Sequence, residues 1–247
     1  MTPIDYMNKF LSVPVILDDG RFDFVRIDRY RNSHTSTADK PGGIKDPLLG
    51  ATRSESKSYT IEGSKINPVS FVSFFVGKAT PGEIADVLWL AHRYGFIANI
   101  ERAAPRGWKA IADPQTFCNT YAGLDCNGFV ANYHGVPDAP RKGIAWFARP
   151  GLRIKRLEDI ALGCSLVFYD GSVDAHIAVL DRVTPTSDGV KMTVVQSGGP
   201  ITGVHAEDWT KLKSEFKADH KGDLYFVVGG RHAYVCKPPP EASMPHK

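Results

Sequence analysis

The sequence lacks the short motifs that mark the most familiar metal- and nucleotide-binding proteins. None of its four cysteines forms a C-x-x-C pair, and no two histidines stand in an H-E-x-x-H arrangement. A calcium-loop pattern and a glycine-rich phosphate loop are also absent from the sequence. These absences argue against zinc ribbons, thioredoxin-type redox proteins and P-loop enzymes. We therefore expect neither a metal ion nor another cofactor.

A strong excess of charge and a long apolar run are missing as well. The chain has 30 basic and 27 acidic residues, and its net charge of +3 is too small to indicate a nucleic-acid partner. No apolar stretch reaches the roughly 18 residues of a membrane-spanning helix. The N-terminus has no basic segment followed by an apolar one, so we expect no secretory signal. We expect synthesis in the cytoplasm and, if the protein acts elsewhere, delivery by another route.

Residues 1–75 differ in composition from the rest of the chain and are expected to form an N-terminal extension of unknown role. Phe22–Arg31 has the mixed apolar and charged pattern of a strand. From Arg31 to Lys65 the chain is rich in Ser, Thr, Gly, Asp and Lys, which is typical of a long loop. The short apolar run Phe71–Val76 predicts a buried strand.

Two helices are predicted in the middle of the chain. Thr80-Pro81-Gly82-Glu83 is a helix start in which Thr80 caps the first turn and Glu83 completes a capping box. Apolar residues at helical spacing come next, so the first helix is expected to run from Pro81 to Tyr94. A second, shorter helix is expected between Asp125, at its cap, and Gly135, just past its end.

In the C-terminal half, Gly and Pro residues separate short segments, a pattern typical of a sheet. Four segments with an apolar or alternating pattern predict strands: Ser165–Tyr169, Ala175–Leu180, Lys191–Ser197 and Leu224–Val228. The close spacing of the first three favours antiparallel neighbours. The predicted fold class is therefore α+β, with helices packed on an antiparallel sheet. Residues 237–247 begin with a proline-rich stretch and are expected to form a disordered tail.

Cys126 is the residue whose position is most clearly suited to catalysis. At the first turn of a helix its thiol would lie beside unpaired backbone N–H groups, which lower a thiol pKa and favour the nucleophilic thiolate. His176, at the head of a predicted strand, is placed to act as a base. Gln196, on the next strand, can orient the imidazole through its amide oxygen. Taken singly, a buried structural cysteine and a core histidine explain the first two residues at least as well.

Taken together, these segments resemble the NlpC-type cysteine peptidases, a papain-like superfamily that acts on bacterial cell-wall peptides. Gly123–Val130 has the sequence GLDCNGFV and resembles the nucleophile motif of the family, G-[FL]-D-C-S-G-[FL]-V. Leu162–Tyr169, LGCSLVFY, resembles the strand that comes after this motif, and Asp174–Leu180, DAHIAVL, resembles the strand that carries the base. Gln196 stands where the family places a polar third residue. Order and spacing agree over residues 80–235.

The resemblance implies a papain-like, NlpC-type fold for residues 76–236, preceded by the extension and followed by the tail. It assigns five site residues: the catalytic Cys126, His176 and Gln196, and the oxyanion- or substrate-binding Tyr121 and Asp125. It also implies an amidase or endopeptidase that cleaves peptidoglycan stem peptides, at the bond between D-glutamate and diaminopimelate or Lys. Relatives without a signal peptide include amidase effectors delivered by bacterial type VI secretion and phage-associated wall hydrolases. For a delivered effector, an immunity or inhibitor protein is a further expected partner.

Two other interpretations remain open from the sequence. The same Cys–His pair would serve a papain-like hydrolase, deamidase or acyltransferase that acts on a protein or small-molecule amide. Alternatively, the chain is an inactive module that binds a wall peptide or a protein, with Cys126 inert.

Overall fold

A computed structural model describes the chain over residues 1–31, 43–53, 60–61, 64–65, 68–136, 142–198 and 203–242. The helices are α1 (Pro3–Leu11), α2 (Lys45–Arg53), α3 (Pro68–Phe75), α4 (Pro81–Arg93), α5 (Pro114–Tyr121) and α6 (Cys126–Tyr133). The strands are β1 (Val13–Ile16), β2 (Phe22–Val25), β3 (Thr60–Ile61), β4 (Ser64–Lys65), β5 (Ser165–Asp170), β6 (Val173–Pro185), β7 (Gly189–Gly198), β8 (Gly203–Leu212), β9 (Lys217–Ala218), β10 (Leu224–Val228) and β11 (Arg231–Cys236). The predicted α+β class is confirmed.

The chain divides into two compact units. One consists of Met1–Met7, Cys126–Gly198 and Val204–Lys247, and the other of Asn8–Asp125 and Gly199–Gly203. The expected boundary at residue 75 lies inside the second of these units. The division of the chain into an extension and a peptidase domain stays a prediction.

A seven-stranded sheet makes up much of the first unit, in the order β8-β7-β6-β5-β11-β10-β9. The pairs β5–β6, β6–β7, β5–β11, β9–β10 and β10–β11 are antiparallel. All four strands predicted in the C-terminal half are present. Strands β8, β9 and β11 were not predicted.

Side-chain alternation divides the sheet into two faces. One face carries a buried apolar cluster that includes Leu166, Phe168, Ala178 and Val194. Phe168 is the cross-strand partner of His176, so that histidine shares this face. Helix α6 packs against β6 and β7.

Helix α4 in the second unit confirms the predicted start. The Thr80 hydroxyl accepts a hydrogen bond from the Glu83 backbone N–H, and the Glu83 carboxylate accepts one from the Thr80 N–H, at 3.2 and 2.8 Å. Gly95, with φ +74°, lies just past the helix and provides the left-handed turn that ends it.

The prediction of a strand at Phe71–Val76 is wrong, because this run ends helix α3. Phe74 and Phe75 are both buried while Val72 is 42% exposed, a pattern that does not alternate as a half-buried strand would. Pro68 starts the helix at a position where a missing N–H has no cost. The apolar run alone could not separate a buried helix turn from a buried strand.

The loop expected over Arg31–Lys65 is wrong where helix α2 lies within it. Ile44 and Leu48, four residues apart, are both fully buried, and Leu48 N–H donates to Ile44 O at 3.0 Å. The rest of that expectation falls mainly on 32–42, 54–59 and 62–63, outside the described residues.

Part of the proline-rich tail packs within the first unit, to which it belongs. Lys237 N–H donates to Leu152 O at 2.7 Å, and Pro239 is buried. The expectation for 243–247 lies outside the described residues.

Over the residues that the structure describes, no helix is long and apolar enough to cross a membrane.

Gly77 makes a tight backbone junction in the second unit and provides a test of the fold. Its φ is +76°, and a Cβ there would lie 2.0 Å from Arg31 O and 2.7 Å from Asp125 N. Gly20 has a similar φ of +80° but nothing within 4 Å of its would-be Cβ.

We expect Gly20→Ala to cost about 1 kcal/mol of unfolding free energy through backbone strain alone. Gly77→Ala should cost at least about 3 kcal/mol, since backbone atoms must also move. Urea denaturation measures both, and equal losses would show that the close backbone contacts at Gly77 carry no extra cost.

Candidate active site

Cys126 is the first residue of helix α6, as predicted. Phe129 and Val130 anchor the helix because both are completely buried, and the ring of Phe129 lies 5.7 Å from that of Tyr6. Gly135, with φ +59°, lies just past the end of the helix. Cys126 is itself buried, with 4% of the residue exposed. The short helix thus holds the thiol at its first turn.

His176 and Gln196 are brought together by the β6–β7 pairing. Leu180 pairs with Val194, so the same antiparallel register sets Gln196 beside the strand segment that carries His176. The two side chains share one face, and His176 Nε2 lies 2.7 Å from Gln196 Oε1. The histidine ring also contacts Phe168, with ring centroids 5.4 Å apart. A hydrogen bond of this length holds the imidazole in one orientation.

The His176 ring titrates below its ordinary range. Burial lowers its pKa, and the hydrogen bond to Gln196 opposes that effect only in part. Arg231 lowers the pKa further through its positive charge. The imidazole is therefore predominantly neutral at pH 7, the state that a general base requires.

Glu207, on β8, extends this pair into a network. Its Oε1 accepts from Gln196 Nε2 at 2.9 Å and lies 2.7 Å from His205 Nε2. Its Oε2 accepts from Trp209 Nε1 at 3.0 Å. The hydrogen bond from Trp209 lowers the pKa of Glu207 most, so this group is a carboxylate at neutral pH.

Sequence reasoning missed these β8 residues, although a signal was present. His205, Glu207 and Trp209 are spaced by two, the period that puts side chains on one face of a strand. The strand itself was not predicted, since Gly203–Leu212 has the sequence GVHAEDWTKL and carries few apolar residues.

Tyr121 and Asp125 belong to the second unit. The Tyr121 ring lies among aromatic side chains, 5.1 Å from Phe117 and 6.4 Å from Phe75, and burial raises the pKa of its hydroxyl. Asp125 N–H donates to Gly77 O at 2.8 Å, and the Asp125 carboxylate lies 3.9 Å from Lys78 Nζ. Their assignment to oxyanion or substrate binding stays a prediction.

Cys126 and His176 lie on secondary-structure elements that pack against each other. Within the described part of the chain, the hydrogen-bond partner of the His176 ring is Gln196 and not the Cys126 thiol. Helix α6, which begins at Cys126, packs on the two strands that carry His176 and Gln196. The roles of the three residues as a catalytic set stay a prediction.

The other three thiols differ from a nucleophile in their electrostatics. Cys118, Cys164 and Cys236 are buried, and burial raises the pKa of each, that of Cys236 to about 12. A thiol with a raised pKa is protonated at pH 7 and reacts poorly.

An open cleft of about 580 Å³ adjoins the His176–Gln196 pair. Its charged side chains are Asp170, Glu207 and Arg231, and Gly229 and Gly230 also line it. Charges of both signs near the histidine suit a ligand that carries both carboxylate and amino groups. In the residues that the structure describes, no group of three or more His, Cys, Asp or Glu side chains is arranged to hold a metal ion.

Comparison of the chain with protein-family models, with curated proteins and with solved structures gives no match.

Proposed function

We propose that this protein is a cysteine amidase or endopeptidase of papain-like, NlpC-type architecture that cleaves peptidoglycan stem peptides. Cys126 is the nucleophile, His176 the base and Gln196 the residue that orients the base. The observation that carries the proposal is the 2.7 Å contact between His176 Nε2 and Gln196 Oε1. An amide oxygen only accepts, so Nε2 bears the proton and Nδ1 of the neutral ring is left as the base.

The reaction is acyl transfer through a thioester. His176 Nδ1 takes the thiol proton, and Cys126 Sγ attacks the amide carbonyl carbon. The resulting imidazolium then donates this proton to the leaving amine as the C–N bond breaks. A water molecule, deprotonated by His176, attacks the thioester and releases the carboxylic acid and the thiol. The proposal requires Sγ and Nδ1 to meet in the substrate complex, since catalytic hydrogen bonds often tighten only there.

The choice of substrate rests on the sequence resemblance and on the charges beside His176. The resemblance favours the bond between D-glutamate and diaminopimelate or Lys. Such stem peptides carry carboxylates and amines together, which suits the mixed charges of Asp170, Glu207 and Arg231 in the adjoining cleft. Delivery to the wall as a secreted effector or a phage-type hydrolase is the corresponding proposal for how the enzyme meets this substrate.

Digestion of purified sacculi tests the function. Wild type and Cys126→Ala are incubated with peptidoglycan of the diaminopimelate type and of the Lys type, and soluble products are identified by mass spectrometry. We expect new fragments with wild type alone, ending in a free D-glutamate carboxylate. Release of fragments by both proteins, or by neither while wild type hydrolyses a protein or small-molecule amide from a parallel panel, would overturn the assignment to the cell wall.

A further inference from the structure

We propose that Glu207 is a positioning residue that fixes the tautomer of His176 by holding the Gln196 amide in one orientation. The consequence of this positioning for catalysis rests on the proposed function. The orientation itself is set by the hydrogen bonds of the network.

The Gln196 amide has two different ends, and each faces a different partner. Its nitrogen lies 2.9 Å from Glu207 Oε1, and its oxygen lies 2.7 Å from His176 Nε2. A carboxylate has only acceptor atoms, so the end that faces Glu207 must be the NH₂ donor. The oxygen is then left for His176, and because it accepts, Nε2 must carry the ring proton. Glu207 thus determines, through one amide, that Nδ1 is unprotonated.

The carboxylate is itself held in place and kept charged. Trp209 Nε1–H donates to Oε2 at 3.0 Å, and His205 Nε2 lies 2.7 Å from Oε1. Since Oε1 accepts, His205 Nε2 must donate to it, so the 3.3 Å approach of Gln196 Nε2 to the same ring nitrogen brings two donors together. The amide hydrogen of Gln196 is therefore directed to Glu207 rather than to His205.

Loss of the carboxylate would release the amide. In Glu207→Gln the new side chain offers either a donor or an acceptor, so the Gln196 amide can turn by 180° and present its NH₂ to His176. Nε2 would then accept, and the ring proton would move to Nδ1. A ring in that tautomer cannot take the thiol proton at Nδ1, the kind of error that sharply lowers catalysis in hydrolases with a misoriented base.

The test observes the tautomer directly. Protein labelled with ¹⁵N-histidine is studied by long-range ¹H–¹⁵N correlation at pH 8, and the His176 signals are assigned by their loss in His176→Gln. Wild type should show the Nε2–H form only. Glu207→Gln and Glu207→Ala should each show a substantial population of the Nδ1–H form. Glu215→Gln is the matched control, since Glu215 bonds to Lys211 and to the Leu212 N–H.

The kinetic readout separates positioning from general stability. Glu207→Gln should lower kcat on the order of tenfold with KM within about twofold, as expected for a residue that positions the partner of the catalytic base. Glu207→Asp, which still only accepts, should recover part of the loss. A wild-type ring protonated on Nδ1, or a tautomer unchanged in both Glu207→Gln and Glu207→Ala, would overturn the inference. If the tautomer responds as expected but wild type cleaves no wall peptide, the proposed function fails and the positioning role of Glu207 stands.

Discussion

Cys126→Ala is expected to lower kcat/KM for stem-peptide cleavage by on the order of 10⁴-fold or more. Alanine has no atom that can form the thioester, so the covalent route is closed. Cys126→Ser should be almost as inactive, because a hydroxyl ionises far less readily than a thiol at neutral pH. The fold should survive both changes, since removing one sulfur from a buried site costs on the order of 1 kcal/mol. Steady-state hydrolysis of a purified stem peptide measures the effect.

Cys118→Ala provides the matched control for this prediction. Cys118 is as deeply buried as Cys126, at 2% against 4% exposure, so the stability cost should be similar. Its thiol is kept protonated by burial, which raises its pKa, and it takes no part in the proposed chemistry. We therefore expect activity within about twofold of wild type after correction for the folded fraction. Equal losses in Cys118→Ala and Cys126→Ala would identify a stability effect and refute the nucleophile assignment.

Local signals in the sequence predicted the parts of the fold that depend on neighbours in the chain. Helix α4 begins where Thr80 and Glu83 complete a reciprocal pair of hydrogen bonds three residues apart. Helix α5 carried a similar signal, with Asp113 accepting from Thr116 N–H at 2.8 Å and Pro114 at the first helical position. It was missed because its eight residues give too little apolar periodicity to distinguish a helix from the surrounding loop.

The candidate site likewise combines one contact that the sequence predicted with another that it did not. The contact of His176 with Gln196 joins adjacent strands of one hairpin, and alternation along each strand was enough to place both side chains on one face. Glu207 lies on β8, where polar side chains conceal the strand pattern. Its contact with Gln196 depends on a further strand pairing that no local pattern indicated. The orientation of the amide could therefore be derived only from the folded structure.

His176→Ala is expected to lower kcat by on the order of 10³-fold or more, because it removes both the acceptor of the thiol proton and the donor to the leaving amine. The substitution should also slow alkylation of Cys126 by iodoacetamide at pH 7, since the thiol loses the base that takes its proton. In wild type the acid limb of kcat/KM should lie below the pH expected for an ordinary histidine. Burial lowers the pKa of His176, so the ring stays neutral as the pH falls until that lowered pKa is reached.

His232→Ala is the control for this substitution, because His232 lies on β11 of the same sheet, is exposed, and contacts Tyr225 instead of the Gln196 network. We expect its activity and its Cys126 alkylation rate to match those of wild type. The alkylation rate decides whether His176 acts on the thiol, because in the described part of the chain the His176 ring is hydrogen-bonded to Gln196 and not to Cys126. If His176→Ala abolishes hydrolysis and slows alkylation, the two groups pair in solution. If alkylation is unchanged while hydrolysis is lost, His176 acts on the substrate alone and the thiol must be activated by another group.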